Sequence, residues 1–271
     1  MPELPEVETY RRYFEETCLN QVITDVYVED TNLLTTDYDV LIATLMRRKF
    51  LSTRRVGKNL FAETDGGIWV HFHFGMTGDL AYFRYDAPVP RFARIIFSFQ
   101  GGDQLAFICP RKFERIGLVE DVDEYLLKKK IARDALTISV EELATSFARK
   151  KVFIKAVLLD QSVIAGIGNW IVDEVLFRAG IHPERYANTL SSVEIEAIHE
   201  AIQEVLQTAI RFEANYAFFP QSYIIHAREW AISPYTDSSQ HKNCPHCGKP
   251  LQVIRVGGRT TFFCPADQPI R

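Results

Sequence analysis

The amino terminus contains residue types that could act as a nucleophile with an acid and a base beside it. Removal of Met1 would leave Pro2 with a free secondary amine, and an α-amino group has a pKa of roughly 7.7–8.0 against about 10.4 for lysine. Attack of such an amine on a sugar carbon can form an iminium, just as a lysine amine forms a Schiff base with a carbonyl carbon. Glu3 and Glu6 are near enough in sequence to transfer protons. Since many proteins begin Met-Pro-Glu, these residues alone do not establish the chemistry.

The carboxyl terminus has the spacing of a metal site. Two pairs of candidate ligands are separated by sixteen residues; in order, they are Cys244, Cys247, Cys264 and Asp267. Two pairs at this spacing suit one tetrahedral structural Zn²⁺. His241 and His246 are alternatives to the aspartate as fourth ligand, and a hairpin that holds metal weakly or not at all is a further alternative. Metal binding supplies roughly 10–16 kcal/mol to isolated fingers, so a small hairpin is expected to depend on it.

Two positions have features of phosphate-binding sites. Arg259 follows Gly257 and Gly258 at the tip of a predicted hairpin, where a guanidinium can bind a phosphate with two hydrogen bonds. Asn169 stands where a helix is predicted to begin, and helix amino termini offer unpaired N–H groups to anions. An arginine that is merely exposed and an asparagine that only caps its helix are the alternatives.

Charge is distributed unevenly, although the formal net charge is −4. Residues 47–58 contain six basic and no acidic residues, and residues 220–271 contain six basic against three acidic. A third basic segment consists of Arg149, Lys150, Lys151 and Lys155. Phosphate binding needs a local positive surface rather than a positive net charge of the whole chain. One such segment is more typical of a solvated surface, but three favour a nucleic-acid partner.

Length and composition indicate an ordinary globular protein. A chain of 271 residues fits two modest domains, or two plus an appendage, and its 47% hydrophobic and 24% charged residues are unremarkable values. No run approaches the roughly 18 apolar residues of a membrane span, and the acidic, proline-containing start differs from a secretory signal. Five cysteines in such a chain are poor grounds for disulfides. We expect a cytoplasmic, nucleoid-associated monomer that does not contact membranes.

The periodicity changes along the chain from β-rich to helical. A helix is predicted just after Pro5, and short apolar runs bounded by turn residues predict strands at 22–28, 51–55, 68–74, 93–99, 105–108 and 116–119. Residues 121–130 are interpreted as a linker or a short helix. Helical spacing follows at 140–148, 152–159, 170–179 and 193–214. Such a layout favours a β-sandwich or barrel-like domain, then a helical domain, then a metal hairpin.

Taken together, the segments resemble the formamidopyrimidine-DNA glycosylase/endonuclease VIII family. The resemblance is closer to the formamidopyrimidine-DNA glycosylase branch. The resemblance lies in 2–9, 55–60, 73–78, 165–183 and 257–259 with its flanking cysteines. It implies an α+β protein with an N-terminal β-sandwich and a leading helix, a helical domain with a helix–two-turn–helix, and a terminal zinc-finger β-hairpin. The implied domains are 1–125, 126–240 and 241–271.

The resemblance also implies a function in base excision repair and a role for individual residues. The protein would be a bifunctional DNA glycosylase/AP lyase on damaged double-stranded DNA, with Pro2 attacking C1′, Glu3 protonating the opening sugar and Glu6 supporting the pocket. An iminium and β,δ-elimination would follow. Lys58, which the family requires, would bind phosphate around the lesion. The other residues that the resemblance implies to contact DNA are Met76, Arg111, Phe113, Asn169 and Arg259, of which Met76, Arg111 and Phe113 would fill the void left by the everted nucleotide. Lys155 is expected to contact DNA as a member of the third basic segment.

Several departures from the family pattern bear on the substrate. The family usually has aspartate where Cys109 stands and glycine where Glu114 stands, and Asp267 replaces a cysteine. The segment 211–219 is shorter than its counterpart in the formamidopyrimidine enzymes and poor in glycine. Because the family closes over an oxidised purine with this segment, a preference for 8-oxoguanine is in doubt. Two alternatives follow: a glycosylase with altered specificity, for oxidised pyrimidines or bulky lesions, or a non-catalytic protein that binds damaged DNA.

Overall fold

A computed structural model describes residues 1–227 and 243–270. The chain divides into two compact units, Met1–Lys130 and Ile131–Arg271. The second unit contains both the helical segment and the terminal hairpin, and the three-domain division at 125/126 and 240/241 remains a prediction. None of the helices in the described ranges combines the length and apolarity that a membrane crossing requires.

Helix α1 (Leu4–Cys18) opens the first unit with a reciprocal cap. The backbone N–H of Glu3 donates to the Glu6 carboxylate at 3.1 Å, and the Glu3 carboxylate accepts from the backbone of Glu6. Pro5 suits this first turn because its missing N–H would have no helical partner there. The capping box fixes where the helix begins and restrains Glu3, the residue before it.

Eight antiparallel strands form two four-stranded sheets in the first unit. One sheet has the order β1 (Ile23–Val28), β6 (Ala93–Phe99), β7 (Asp103–Ile108), β5 (Asp79–Arg84). The other has the order β2 (Phe50–Val56), β3 (Asn59–Thr64), β4 (Trp69–His73), β8 (Arg115–Val119). Both sheets and α1 contribute to one apolar core, in which the Phe14 ring lies 5.0 Å from Phe50 and 5.7 Å from Phe72. The predicted leading helix and β-sandwich are confirmed.

Two short helices complete this unit: α2 (Tyr38–Leu45) and α3 (Val122–Lys128). Of the two interpretations of residues 121–130, a linker or a short helix, the structure has the helix, α3. Asp121 caps this helix by accepting a hydrogen bond from the backbone N–H of Glu124 at 2.9 Å. A 3₁₀ turn lies at Thr31–Leu33. Three of these first-unit elements were not predicted from the sequence: α2, β3 and β5.

The second unit is built on helices α4 (Val140–Ala148), α5 (Ile154–Leu159), α6 (Asn169–Arg178) and α7 (Ser192–Arg211). Capping boxes at Ser139 and Ser191 start α4 and α7. The loops of this unit contain 3₁₀ turns at Ala187–Thr189, Tyr216–Phe218 and Ile224–Ala227. The α7 helix ends at Arg211 rather than at the predicted residue 214, because residues 213 and 214 have left-handed backbone conformations.

The terminal hairpin consists of β9 (Gln252–Val256) and β10 (Arg259–Phe263). Gly257 and Gly258 connect them with φ values of +56° and +76°, as a two-residue type I′ turn requires. The Phe262 ring packs with Phe177 of α6 in a small apolar cluster. With this hairpin, the predicted α+β fold class is confirmed.

Candidate functional site

The start of α1 places an acid directly beside Pro2. Glu3 is only 3% exposed, and the capping box with Glu6 restrains both its backbone and its carboxylate. Pro2 is half-buried, whereas Met1 is 49% exposed. Loss of Met1 would convert the Pro2 nitrogen from an amide into an amine beside a restrained carboxyl group.

Lys58 lies in the two-residue turn that joins β2 to β3, with Gly57 at φ +58°. Arg55 donates to the Gly57 carbonyl oxygen at 3.2 Å and forms an ion pair with Glu8 of α1 at 3.0 Å. Burial raises the pKa of Glu8, but hydrogen bonds from Arg11 and Arg55 and their charges outweigh it, so the net pKa is lowered. An ionised Glu8 thus ties the Lys58 turn to the helix that begins at Pro2.

His73 is a further polar residue of this region to which the sequence interpretation gave no role. It ends β4 and pairs with Asn59, the residue after Lys58. Its Nδ1 accepts from the backbone N–H of Gly75 at 3.2 Å, which leaves Nε2 to carry the proton of the neutral ring. Burial, followed by the charges of Lys58 and Arg115, lowers the His73 pKa. The strand register beside Lys58 is the signal that could have identified it.

Met76 and Phe113 lie on neighbouring loops and are unusually exposed for apolar residues. Met76 follows β4 and is 39% exposed, while Phe113 precedes β8 and is 52% exposed. The Arg111 guanidinium lies 5.1 Å from the centre of the Phe113 ring, within range of a cation–π interaction. Met76 and Phe113 are therefore surface residues and not part of the apolar core.

In the second unit, Asn169 and Arg259 are brought to one edge. Asn169 is the first residue of α6, and Gly168 is the helix cap, so the alternative that Asn169 only caps the helix is wrong. The Asn169 side chain donates to the carbonyl oxygen of Thr260 at 3.0 Å. Since Thr260 follows Arg259 in β10, this bond holds the exposed Arg259 beside the start of a helix, where anions are favoured.

The prediction that Lys155 contacts DNA needs correction, because its side chain has no exposed surface. Its ammonium group lies 2.6 Å from Asp173 and donates to the Thr261 hydroxyl at 2.7 Å and to the Thr260 carbonyl at 3.2 Å. The other Asp173 oxygen accepts from the backbone N–H of Phe262 at 3.2 Å. A buried charge is tolerated only when paired and hydrogen-bonded in this way. Lys155 therefore attaches β10 to α6 and positions Arg259 indirectly.

Other members of the basic segments are engaged in ion pairs within the protein. The segments at 47–58 and 149–155 both contain such pairs: Arg48–Asp65, Arg54–Asp123 and Lys150–Asp160. Exposed pairs of this kind contribute little stability, but they reduce the local positive charge. Part of the positive charge counted in these segments is therefore paired within the protein.

The four predicted metal ligands converge at the base of the hairpin. Their ligand atoms lie within 4.8 Å of one another: Cys244, Cys247, Cys264 and Asp267. The backbone N–H groups of His246 and Cys247 point at the Cys244 sulfur, at 3.3 and 3.5 Å, as in a metal knuckle. Ligands of one zinc lie roughly 2.0–2.3 Å from the ion, so small side-chain shifts bring all four onto it. The cluster fits one structural Zn²⁺.

The two histidines that the sequence offers in place of Asp267 as fourth ligand, His241 and His246, have different outcomes. The His246 ring packs on Phe177 at a centroid distance of 5.0 Å and is not in the cluster. His241 lies outside the described residues. The carboxylate of Asp267 lies 3.0 Å from the Cys244 sulfur, so among the described residues Asp267 is the candidate that accompanies the three cysteines.

Comparison with known proteins finds three family models along the chain. The formamidopyrimidine-DNA glycosylase N-terminal domain matches residues 1–116, the H2TH domain of the same glycosylase matches 127–219, and the zinc finger found in FPG and IleRS matches 242–270.

Relatives and solved structures agree with these matches over the whole chain. Formamidopyrimidine-DNA glycosylases of Desulforamulus reducens and Arabidopsis thaliana are each 35% identical, covering 99% and 100% of this chain and 99% and 71% of their own. The Lactococcus lactis enzyme bound to DNA with an abasic site is 30% identical, with a TM-score of 0.86 over 99% of this chain and 100% of that one. A mutant of it with Fapy-dG-containing DNA has a TM-score of 0.88, with the same identity and coverage. The chain belongs to the formamidopyrimidine-DNA glycosylase family.

Proposed function

We propose that this DNA glycosylase of base excision repair uses Pro2 to remove a damaged base from double-stranded DNA and then cleaves the strand. The observation that carries the proposal is the capping box, which fixes buried Glu3 beside Pro2. The same helix is joined through Glu8 and Arg55 to the Lys58 turn. A nucleophile, an acid and a cation are thus held by one rigid set of elements.

The reaction follows from a secondary amine with a carboxyl group beside it. The neutral Pro2 nitrogen attacks C1′, the glycosidic bond breaks, and the base leaves with the bonding electrons and takes up a proton. Glu3 protonates the ring oxygen, and the opened sugar becomes an iminium. Removal of a C2′ proton expels the 3′ phosphate, and a second elimination expels the 5′ phosphate. Hydrolysis of the iminium returns the amine and leaves phosphates at both edges of a one-nucleotide gap.

The remaining residues bind the everted nucleotide and the duplex around it. Lys58, Asn169 and Arg259 bind phosphates, which positions the DNA without reading its sequence, and His73 offers Nε2–H beside Lys58. The void is filled by Met76, Arg111 and Phe113. Eversion costs a few kcal/mol, and these contacts offset it. Zinc stabilises the hairpin that carries Arg259. We place this activity in the cytoplasm, at the nucleoid.

Borohydride trapping on DNA with an abasic site tests the nucleophile. We expect a covalent adduct that peptide mapping places on the chain beginning at Pro2. An adduct on a lysine side chain, or no adduct from a protein that lacks Met1, would contradict the proposal. Pro2→Gly also presents an α-amine, so the mapped position, rather than loss of activity in that variant, is the decisive result.

The role of Glu3 is tested separately with Glu3→Gln. General acid–base groups contribute roughly 10²–10⁴-fold, so base excision is expected to fall by at least about 100-fold. Glu16→Gln is the matched control, because Glu16 is an exposed acid on the same helix. Equal rates for the two variants would remove Glu3 from the mechanism.

The lesion is proposed to be other than a small oxidised purine, because the segment 211–219, with which the family closes over such a base, is shorter and poor in glycine in this chain. Residues 213 and 214 both have positive φ values, and they turn the chain into a 3₁₀ segment in which Phe218 is 65% exposed. Exposed aromatic rings can stack on planar bases. Excision from a panel of oxidised purines, oxidised pyrimidines and bulky adducts measures the preference, and fastest excision of 8-oxoguanine would overturn this choice.

A further inference from the structure

The two loops that carry Met76 and Phe113 are in direct backbone contact. A Cβ atom placed on Gly75 would lie 2.7 Å from the carbonyl carbon of Phe113 and 2.8 Å from the backbone nitrogen of Glu114. Gly75 also has φ +54°, which a side chain would disfavour. The glycine therefore allows the loops to touch, but an approach of backbone to backbone does not by itself hold them together.

Glu114 supplies a side-chain connection across this contact. It is completely buried, although it lies in an otherwise exposed loop. Its Oε1 accepts a hydrogen bond from the Thr77 hydroxyl at 3.2 Å, and its Cγ lies 2.8 Å from where a Gly78 Cβ would be. The carboxylate of one loop is thus inserted under the turn of the other.

The same turn is attached to the helix that begins beside Pro2. The Tyr10 hydroxyl donates to the Gly78 carbonyl oxygen at 3.2 Å, and the Tyr10 ring lies 4.5 Å from the Phe74 ring. The Cys109 thiol is also buried, and burial followed by the charge of Glu114 raises its pKa to about 12. Glu114 therefore lies where α1 and both loops meet, together with Cys109, the second position that departs from the family pattern.

We propose that Glu114 is a positioning residue that couples the Met76 and Phe113 loops through Thr77, so that both side chains enter the duplex as one rigid unit. The inference rests on the proposed function, because the wedge matters only if a nucleotide is everted. Coupling lowers the entropic cost of placing two side chains in the void. It predicts a defect at the step that opens the duplex, and none in the chemistry at the sugar.

Single-turnover excision from a lesion-containing duplex tests the coupling, with cleavage of a single-stranded abasic oligonucleotide as reference. For Thr77→Val and Glu114→Ala we expect excision about tenfold slower, which is about 1.4 kcal/mol, with single-stranded cleavage unchanged. Glu114→Gln keeps an acceptor for Thr77 and should restore most of the rate. The double variant Thr77→Val/Glu114→Ala should be no slower than Glu114→Ala alone, because both remove one interaction.

A spectroscopic readout distinguishes positioning from a general loss of stability. A 2-aminopurine opposite an abasic analogue reports entry of the wedge, and its fluorescence change should be smaller or slower in Thr77→Val and Glu114→Ala. Thr64→Val is the matched control, since the Thr64 hydroxyl also bonds a turn of this unit, donating to Ile68 at 2.7 Å. It should leave both readouts unchanged.

The outcomes separate the inference from the proposed function. If wild-type protein cleaves abasic DNA in neither single-stranded nor duplex form, the proposed function fails. If wild-type protein cleaves it, and Glu114→Ala either matches wild type on duplex or loses single-stranded cleavage equally, the coupling is wrong.

Discussion

Buried polar residues in this protein mainly position others. Glu8 holds Arg55 and through it the Lys58 turn, and Lys155 with Asp173 holds the hairpin strand that begins at Arg259. Each of these groups is paired, as burial of a charge requires. Apart from the buried acid Glu3, the residues proposed to touch DNA are more exposed and lie at turns or element ends. Burial therefore separates the two roles more reliably than residue type, which assigned Lys155 to the DNA.

His71 shows what burial of a titratable ring among neutral hydrogen-bond partners implies for stability. Its Nε2 lies 2.9 Å from Asn59 Oδ1 and its Nδ1 lies 3.2 Å from the Tyr125 hydroxyl. Burial, then the charges of His73 and Lys129, lowers its pKa from 6.5 to about 3. The folded state thus binds fewer protons than the unfolded state between these two values.

The consequence is a loss of stability in acid. As pH falls from 6.5 toward 3, we expect the free energy of unfolding to decrease through His71 by up to about 1.4 kcal/mol per pH unit. His71→Gln should reduce this slope, because the amide does not titrate and can still donate to Asn59. Urea unfolding of both proteins from pH 7.5 to 4.5 measures it. An identical slope in the variant would show that His71 does not titrate as inferred.

At the level of elements, sequence periodicity predicted the helices and strands in which apolar residues recur regularly. It missed the elements in which they do not. The strand β3 is buried on both faces, so its residues do not alternate and a short apolar run is ambiguous. The helix α2 has only eight residues, although Asp37 caps it and was a usable signal. Site residues near termini and glycine turns were identifiable by type, but the position of His73 beside Lys58 depends on strand register.

The terminal hairpin carries a set of candidate zinc ligands in which the carboxylate of Asp267 accompanies three cysteines. Zinc release to a chromogenic chelator should be at least about tenfold faster in Asp267→Ala, since even residues behind the ligands change affinity 10–100-fold, and slower in Asp267→Cys. Because Arg259 begins β10, chelation should also weaken DNA binding. His246→Ala is the control, as its ring contacts Phe177 rather than the cluster. Equal release from wild type and Asp267→Ala would exclude the aspartate as a ligand.

For the whole molecule, the net charge of −4 is compatible with DNA binding because the charges that matter are local. Each neutralised phosphate contributes about 0.9 to the slope of log K against log salt. Lys58→Gln and Arg259→Gln should each reduce that slope by about 0.9, and the double variant by about 1.8 if they bind separate phosphates. Arg54→Gln should leave it unchanged, because Arg54 is paired with Asp123 at 2.5 Å. If Arg54→Gln reduces the slope as much as Lys58→Gln does, the segment 47–58 acts as a diffuse positive surface, and Lys58 has no specific phosphate.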